Sequence, residues 1–323
     1  MNTTQLKSAL IGVGNIAAFI DSPESSNIAS HTKAFLHCKK TQLVSLFEPN
    51  AKNIAKFKQR WNIKVSIYNS LDDLLQREID ILAITSPTKT HFEILQKALY
   101  SKASYILCEK PLVSSLEELQ QIEKQLLASD KKILINIIRE YNPIYQEVYK
   151  KIQSNLYGKP VAFHAVCTKG LLHNGIHHLA LLEQLLGEII AIHSTNTQHA
   201  SDDLIGDFTI KTDLCNGTLN ILKDVTYSTF TLTLWFENGK IELLKNGDLI
   251  YCHKALPSEE YEGYSFLEQE CSYIQVLNHY ALDSLEFLLT KDKKTLDTIL
   301  RKHLQLHRKI FLTLQKGYYE TSN

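Results

Sequence analysis

The chain has 323 residues, 44% of them apolar and 22% charged, and its 35 basic side chains balance 35 acidic ones. This length suits two domains, and the balanced charge argues against nucleic acid or an anionic membrane and favours a small-molecule ligand. No stretch approaches the roughly 20 apolar residues of a membrane helix. The N-terminus lacks a signal-peptide pattern and the six cysteines form no CxxC pair, so we expect a cytoplasmic protein with reduced thiols.

The first 135 residues alternate apolar runs with amphipathic segments. LKSALIG, TQLVSLF, IDILAIT, SYILCEK and KKILINI are short and rich in Ile, Leu and Val, which is typical of buried strands. AKNIAKFKQRW, THFEILQKALYSK and SSLEELQQIEKQLLAS have helical spacing, and Ser114 or Ser115 can cap the third of them. This alternation predicts an α/β domain with a doubly wound parallel sheet over residues 1–135.

A glycine-rich loop, GVGNIA at residues 12–17, follows the first strand. It is a GxGxxA variant of the dinucleotide fingerprint, in which Gly12 allows the tight turn and Gly14 lets the backbone approach a pyrophosphate. We therefore predict a Rossmann domain that binds a dinucleotide along Gly12, Gly14, Asn15 and Ile16.

The second strand leads into Glu48, which is a candidate partner for the adenosine ribose. An acidic side chain here can accept hydrogen bonds from the ribose hydroxyls and would repel a 2′-phosphate, so NAD is favoured over NADP. The alternative is a solvated residue after a strand. The inserted segment DSPESSNIAS lengthens the spacing between the glycine loop and Glu48, and its Ser30 can cap the next helix.

The fifth strand ends at Glu109-Lys110-Pro111, at the edge where open parallel sheets bind ligands. A lysine held there can stabilise an alkoxide or relay its proton, and the alternative is an ordinary surface lysine. Pro111 stiffens the turn and can be cis. Thr85, Ser86 and Pro87 are predicted to lie near the nicotinamide half of the cofactor, with His91 close behind, and Glu109 is also predicted to bind the cofactor.

The pattern changes after about residue 155. A helix over roughly 173–187 precedes long strand-like runs: AIHSTNTQ, LIGDFTIKTDL, GTLNILKDVTYSTFTLTLWFE and KIELLKNGDLIYCHK. ENGK and KNGD are Asn-Gly hairpin signals. Two helices, roughly 264–290 and 295–316, close the chain. Residues 136–323 are therefore predicted to form an α+β domain with a large open, mainly antiparallel sheet.

Three histidines lie in LLHNGIHHLA, and His173 and His177 are four residues apart, so they share one face of a helix. A zinc site of the HExxH type requires a glutamate after the first histidine, but Asn174 stands there, and no third ligand is near. A core or capping histidine is the other alternative, and for His178 it is the favoured one. Asn174 and Arg139 can serve structure or substrate equally well.

Four of these segments together resemble one family. GVGNIA, SPTKTH at 86–91, CEKPL at 108–112 and a GIH-containing helix that ends in LLGE at 185–188 resemble the Gfo/Idh/MocA oxidoreductase family, which includes glucose–fructose oxidoreductase and inositol dehydrogenase. NIIREYNP at 136–143 matches the family's entry into its second domain. KGLLHNGIH is similar to members of surface-polysaccharide and sugar-nucleotide pathways.

This resemblance implies a Rossmann domain, an open-sheet domain that forms subunit interfaces in a homodimer or homotetramer, and NAD(P)-dependent chemistry at a sugar or polyol carbon. It places the acid–base histidine of an Asp-x-x-x-His-x-x-Asp motif at His177 and the assisting lysine at Lys110. His173 and Ala180 stand where that motif has its acids, so we expect His173 to support the other two. The residues predicted to contact substrate are Lys110, Arg139, Asn174 and His177.

The missing acids leave two other functions open. One is a non-catalytic protein that binds NAD or a sugar as a regulatory signal. The other is a redox-neutral dehydratase or epimerase that recycles its NAD. No metal is predicted in any of the three.

Overall fold

The computed structural model describes residues 5–321, which form two compact units. The first unit runs to Tyr141 and also contains Asn278–His307. The second unit runs from Asn142 to Leu277 and continues from Arg308. Within the described residues, no helix has the length and apolar character that would let it cross a membrane.

The first unit is built around a parallel sheet. Its strands are β1 (Leu6–Ile11), β2 (Thr41–Phe47), β3 (Ser66–Tyr68), β4 (Ile81–Ile84), β5 (Tyr105–Cys108) and β6 (Lys132–Ile135). Up to Tyr141, its α-helices are α1 (His31–His37), α2 (Ala51–Trp61), α3 (Leu71–Leu75), α4 (His91–Leu99), α5 (Leu116–Ala128) and α6 (Ile138–Tyr141). The sheet order is β3-β2-β1-β4-β5-β6, and every neighbouring pair is parallel, which confirms the doubly wound Rossmann prediction.

Side-chain caps fix where these helices begin. The Ser30 hydroxyl accepts from the Lys33 N–H at the start of α1, and the Ser115 hydroxyl accepts from the Glu118 N–H at the start of α5. Both predictions of a capping serine are confirmed, with Ser115 rather than Ser114 as the cap of α5. Each bond satisfies one of the backbone donors that a helix leaves unpaired at its first turn.

The second unit is built around a mixed sheet. Its elements are α7 (Pro143–Gln153), β7 (Pro160–Thr168), α8 (Ile176–Leu186), β8 (Ile189–Ala200), β9 (Asp203–Thr212), β10 (Asn216–Leu222), β11 (Phe230–Phe236), β12 (Gly239–Leu244), β13 (Leu249–Pro257) and β14 (Ser265–Ile274). The chain ends with α9 (Tyr280–Thr290), α10 (Lys293–Lys316) and β15 (Tyr318–Glu320). The sheet order is β14-β13-β12-β11-β7-β10-β9-β8-β15.

All pairs in this sheet are antiparallel except β7 with β10, so the prediction of a mainly antiparallel sheet is confirmed. The hairpin β11–β12 turns at Glu237-Asn238, and β12–β13 turns through Asn246 and Gly247, both at positive φ. Positive φ is what an Asn-Gly signal predicts.

One predicted element was wrong. Residues 265–274, expected to lie at the start of a helix, form the edge strand β14, which pairs with β13 along its length. The side chains of β14 are mostly exposed on both faces, so the sequence shows neither a helical stripe nor a clean alternation. Cross-strand pairing, which a local pattern does not reveal, decides its conformation.

The boundary predicted at residue 135 also differs from the two units. The helix α9 packs on α1, α6 and β5 of the first unit, where its apolar face meets Phe35, Leu107 and Tyr141. The division then falls inside α10, between His307 and Arg308. A helical stripe identifies which face is apolar but not which sheet it covers.

Candidate active site

A cleft of about 840 Å³ opens in the first unit beyond the carboxyl ends of β1, β2 and β4. It brings together eight of the residues predicted to bind cofactor: Gly12, Gly14, Asn15, Ile16, Glu48, Thr85, Ser86 and Pro87. It also includes Asn53, Leu71, Asp72 and Lys97, which no sequence signal distinguished. Ligands of open α/β sheets bind in this position, so the cleft is the candidate dinucleotide site.

Gly12 makes the turn at the base of the cleft. Its φ is +91°, and a Cβ added there would lie 2.5 Å from the Ser86 Cα, so a larger residue clashes with backbone. The Gly12 N–H donates to the Phe47 carbonyl at 2.8 Å, and its carbonyl accepts from the Thr85 hydroxyl at 2.6 Å. The glycine is therefore required by the fold itself.

Gly14 differs from Gly12 in its surroundings. Apart from its chain neighbours, no described protein atom lies within 4 Å of a Cβ added at Gly14, and the residue lines the cleft. Protein packing therefore gives no reason for a glycine at this position. A missing side chain does let a ligand approach the backbone closely, as the pyrophosphate of a dinucleotide would.

Glu48 is buried at the end of β2, and both of its carboxylate oxygens accept hydrogen bonds. Oε2 accepts from the Val13 N–H at 2.7 Å, and Oε1 accepts from the Asn50 N–H at 2.8 Å. The carboxylate thus ties the glycine loop to the turn before α2. It also lines the cleft, where its remaining acceptor capacity can face a ribose.

His91 lies behind the cleft rather than in its lining. It is buried, with Nε2 2.8 Å from the Ser86 carbonyl oxygen and Nδ1 2.8 Å from the Pro111 carbonyl oxygen. It therefore connects the loop after β4 to the loop after β5. This arrangement supports a positioning role for His91 in place of the predicted cofactor contact.

Glu109 is likewise buried outside the cleft lining. Its Oε1 lies 2.7 Å from Nε2 of His31 and accepts from the Asn136 amide at 2.6 Å. Burial acts to raise the pKa of Glu109, but His31, Asn136 and the neighbouring Lys110 charge outweigh it, and the pKa is lowered. The carboxylate is thus held ionised beside Lys110, and sequence reasoning missed both His31 and Asn136 as its partners.

Lys110 stands at the carboxyl end of β5, half-buried, and its peptide bond to Pro111 is cis. The Leu112 N–H just after it donates to Nε2 of His307 at 3.0 Å, and His307 Nδ1 donates to the His303 carbonyl at 2.7 Å. The turn that carries Lys110 is therefore anchored from α10. Arg139, also predicted to contact substrate, is buried in α6 of the same unit.

In the second unit, His173 lies in a single π-helical turn, Leu171–Gly175, which runs directly into α8 at Ile176. His177 lies in the first turn of α8, so the predicted helix begins here with a π-helical turn. Asn174 lies in the same turn, half-buried.

His173 is paired with an acid that the sequence analysis did not predict. Its Nδ1 lies 2.7 Å from Oδ2 of Asp203, a buried residue at the start of β9. Asp203 also accepts from the N–H groups of Leu172 and His173, at 2.8 Å and 3.0 Å. A Cβ on Gly170 would lie 2.1 Å from Asp203 Oδ2, so the glycine leaves room for this carboxylate.

The other two histidines are buried in α8. His177 is only 6% exposed. The ring of His178 stacks on Phe230 with centroids 3.6 Å apart, and its Nε2 lies 3.2 Å from the Val166 carbonyl. His178 therefore has the structural role that the sequence favoured. Within residues 5–321, no cluster of three or more His, Cys, Asp or Glu side chains could hold a metal ion.

Comparison with known proteins assigns the first unit. Residues 6–137 match the model of the Gfo/Idh/MocA family, described as an oxidoreductase family with an NAD-binding Rossmann fold. The cleft described above lies within this matched region and has the features that an NAD-binding Rossmann fold requires.

Two curated relatives of the Gfo/Idh/MocA region are inositol dehydrogenases. "Inositol 2-dehydrogenase 4" of Saccharopolyspora erythraea is 22% identical over 158 residues, 44% of this chain and 46% of the relative. "scyllo-inositol 2-dehydrogenase (NAD(+))" of Bacillus subtilis is 25% identical over 159 residues, 49% of this chain and 43% of the relative. The chain thus spans less than half of the length of either relative.

Solved structures share the fold over nearly the whole chain. A putative NADPH-dependent oxidoreductase from Desulfitobacterium hafniense superposes with a TM-score of 0.76 at 14% identity, covering 98% of both chains. An oxidoreductase from Agrobacterium radiobacter, solved with NAD+, L-tartaric acid and magnesium, gives 0.73 at 14% identity, again covering 98% of both chains. At such low identity these likenesses show the fold alone.

Proposed function

We propose that this protein is an NAD-dependent oxidoreductase that transfers a hydride between nicotinamide and a carbon of a sugar, polyol or sugar nucleotide. The cleft carries this proposal, because Gly14 leaves space that protein packing does not need and Glu48 closes the same cleft with a carboxylate. The curated relatives, named as inositol dehydrogenases, favour a polyhydroxylated substrate.

NAD is the proposed cofactor in preference to NADP. Glu48 carries a negative charge at the ribose end, where a 2′-phosphate would be repelled. The Bacillus subtilis relative is named for NAD(+), whereas the Desulfitobacterium hafniense protein is described as NADPH-dependent. Similarity to these proteins therefore does not decide between NAD and NADP. The preference of this chain therefore depends on Glu48.

Lys110 and His177 are the proposed proton-transfer residues. In the oxidation direction, NAD+ held along Gly12, Gly14 and Glu48 would supply the acceptor for the hydride of the substrate carbon. The His177 imidazole takes the proton of the hydroxyl on that carbon, and the Lys110 ammonium stabilises the negative charge that develops on its oxygen. Glu109 stays ionised beside Lys110 and favours the charged ammonium.

His173 is proposed to assist through Asp203. A carboxylate on Nδ1 fixes the tautomer of an imidazole and turns its Nε2 outward. The His173 side chain is 41% exposed, whereas Asp203 is buried. Asp203 therefore supplies from β9 the acid that the family motif places on the helix. Arg139 and Asn174 are proposed to contact substrate hydroxyls, and the sheet of the second unit is proposed to form a homodimer or homotetramer.

The test is NADH formation from NAD+ with a panel of inositols, hexoses and sugar nucleotides. Lys110→Ala and His177→Ala should each lower turnover by about a hundredfold and leave NAD+ affinity unchanged, as expected for lost proton transfer. Lys124→Ala and His199→Ala, at exposed positions of α5 and β8, are the matched controls and should behave as wild type.

Three other results of this test would each point away from the proposed mechanism or function. Near-normal turnover in both Lys110→Ala and His177→Ala would refute the assigned roles. Bound NAD with no turnover on any substrate would favour a regulatory binding protein. Conversion of a sugar without net NADH would favour a dehydratase or epimerase that recycles its cofactor.

A further inference from the structure

Two cysteines of the second unit face each other across neighbouring strands. Cys252 on β13 is the direct antiparallel partner of Cys271 on β14. Directly opposed residues in such a pair have Cα atoms about 4.5–5.5 Å apart, which lies within the range that a disulfide spans. Both are free thiols here. No part of the proposed oxidoreductase chemistry uses them.

Their surroundings differ in a way that divides their roles. Cys252 is fully buried, whereas Cys271 is partly exposed. Burial and the adjacent Cys271 sulfur raise the pKa of Cys252 to about 12, so this thiol keeps its proton. Cys271 is therefore the thiol that a small oxidant reaches first.

A lysine acts directly on the accessible sulfur. Nζ of Lys151 on α7 donates to Sγ of Cys271 at 3.1 Å. The same ammonium lies 5.6 Å from the ring centroid of Tyr273, whose hydroxyl donates to Glu147 at 2.6 Å. A partly exposed cysteine beside an ammonium group is in a setting where cysteines react with oxidants.

We propose that Cys252 and Cys271 form a reversible disulfide when a peroxide oxidises Cys271. The Cys271 sulfur attacks one peroxide oxygen and breaks the O–O bond, which gives S–OH and, after protonation, one water. The Cys252 sulfur then displaces that hydroxyl, which leaves as a second water with the Cys252 proton. Two thiols lose two electrons and two protons, and hydrogen peroxide is reduced to two waters.

The first experiment counts thiols in the full-length wild-type protein. The protein is treated with hydrogen peroxide and then denatured, and its remaining free thiols are alkylated with N-ethylmaleimide. Its intact mass and cross-linked peptides are then measured. Of the six cysteines, two should escape alkylation and appear as one Cys252–Cys271 cross-link, and dithiothreitol should restore them. Full alkylation, a different pair, or chains cross-linked to each other through Cys271 would overturn the proposal.

Variants then test the order of attack. Cys252→Ser should leave a sulfenic acid on Cys271 that dimedone traps, whereas Cys271→Ser should leave Cys252 unmodified. Cys215→Ser, at the other partly exposed cysteine, should form the disulfide as wild type does. Dimedone on Cys252 in the Cys271→Ser protein would reverse the assigned roles.

The contribution of the lysine is tested by rate. Lys151→Met should slow oxidation of Cys271 several-fold, while Lys150→Met, an exposed neighbour on the same helix, should leave the rate unchanged. Equal rates in the two variants would show that the Lys151 ammonium does not activate Cys271. Folding of each variant is checked by its melting temperature.

Discussion

At the scale of single residues, Glu48 serves the fold and the proposed cofactor at once. Its two oxygens already accept from Val13 and Asn50, so the carboxylate is fixed before any ligand arrives. A fixed acceptor avoids the entropy cost of ordering a flexible side chain on binding. The same bonds mean that its removal also loosens the glycine loop.

Glu48→Ala should therefore weaken NAD+ binding and reduce the preference for NAD+ over NADP+. The reason is the loss of the ribose acceptor and of the charge that repels a 2′-phosphate. Titration of both cofactors against wild type and variant measures this, with Glu93→Ala, an exposed acid at the cleft rim, as control. An unchanged ratio of the two affinities would remove Glu48 from the cofactor site.

Asp203 is the second residue whose role the structure, and not the sequence, suggests. Asp203→Asn should lower kcat by about a hundredfold and leave KM within a few-fold, because an amide no longer fixes the His173 tautomer. Asp202→Asn, its exposed neighbour, is the matched control. A lower melting temperature with kcat preserved would show that Asp203 serves structure only.

The glycine loop and the acid after β2 could be predicted because their spacing is local and each needs a particular residue type. Asp203 could not, because it is 30 positions from His173 and meets it through the packing of β9 against the turn Leu171–Gly175. The partners of Glu109 escaped prediction for the same reason. Residues brought together by tertiary packing carry no signature in a single sequence.

At the scale of elements, α10 stabilises the turn that carries Lys110. His307 of this helix donates through Nδ1 and accepts through Nε2. The two bonds can coexist only when the ring is neutral, because a protonated Nε2 cannot accept. Burial lowers the pKa of His307 from 6.5 to about 4, an effect to which the nearby His303 adds and which its hydrogen bond to the His303 carbonyl opposes. Protonation would break the bond to Leu112 and free the turn.

The first unit should accordingly lose stability as the pH falls from 6.5 to about 4. In that window the unfolded chain takes up the His307 proton and the folded chain does not, so the free energy of unfolding decreases by about 3 kcal/mol. Urea unfolding of wild type and His307→Gln across this range measures the difference. If both proteins showed the same pH dependence, His307 would not be the titrating group.

Elements with strong local signals were predicted well, and elements that depend on pairing were not. The strands β1, β2, β4, β5 and β6 were visible as buried apolar runs. Hairpins formed at both Asn-Gly signals, the first turning at Glu237-Asn238 and the second through Asn246 and Gly247. The strands β3 and β7 were missed, and β14 was taken for a helix. The π-helical turn at Leu171–Gly175 was hidden because its composition continues the pattern of α8.

At the scale of the whole molecule, each of the two units is built from two separate segments of the chain. The segment Asn278–His307 returns to the first unit after the second has been built. Its apolar residues Leu285 and Leu288 belong to the cores of the first unit. The Rossmann unit is therefore completed by residues far outside the family match at 6–137, and a truncation after Tyr141 should not fold stably.

The central claim is that the cleft of the first unit binds NAD. Calorimetric titration of NAD+ into the full-length wild-type protein and into Gly14→Val tests it most directly, because Gly14 lines the cleft and a Cβ added there has no protein atom within 4 Å apart from its chain neighbours. We predict saturable binding to wild type, binding weakened at least about tenfold in the variant, and equal melting temperatures. No binding to wild type at millimolar NAD+, or equal affinity in both proteins, would contradict the claim.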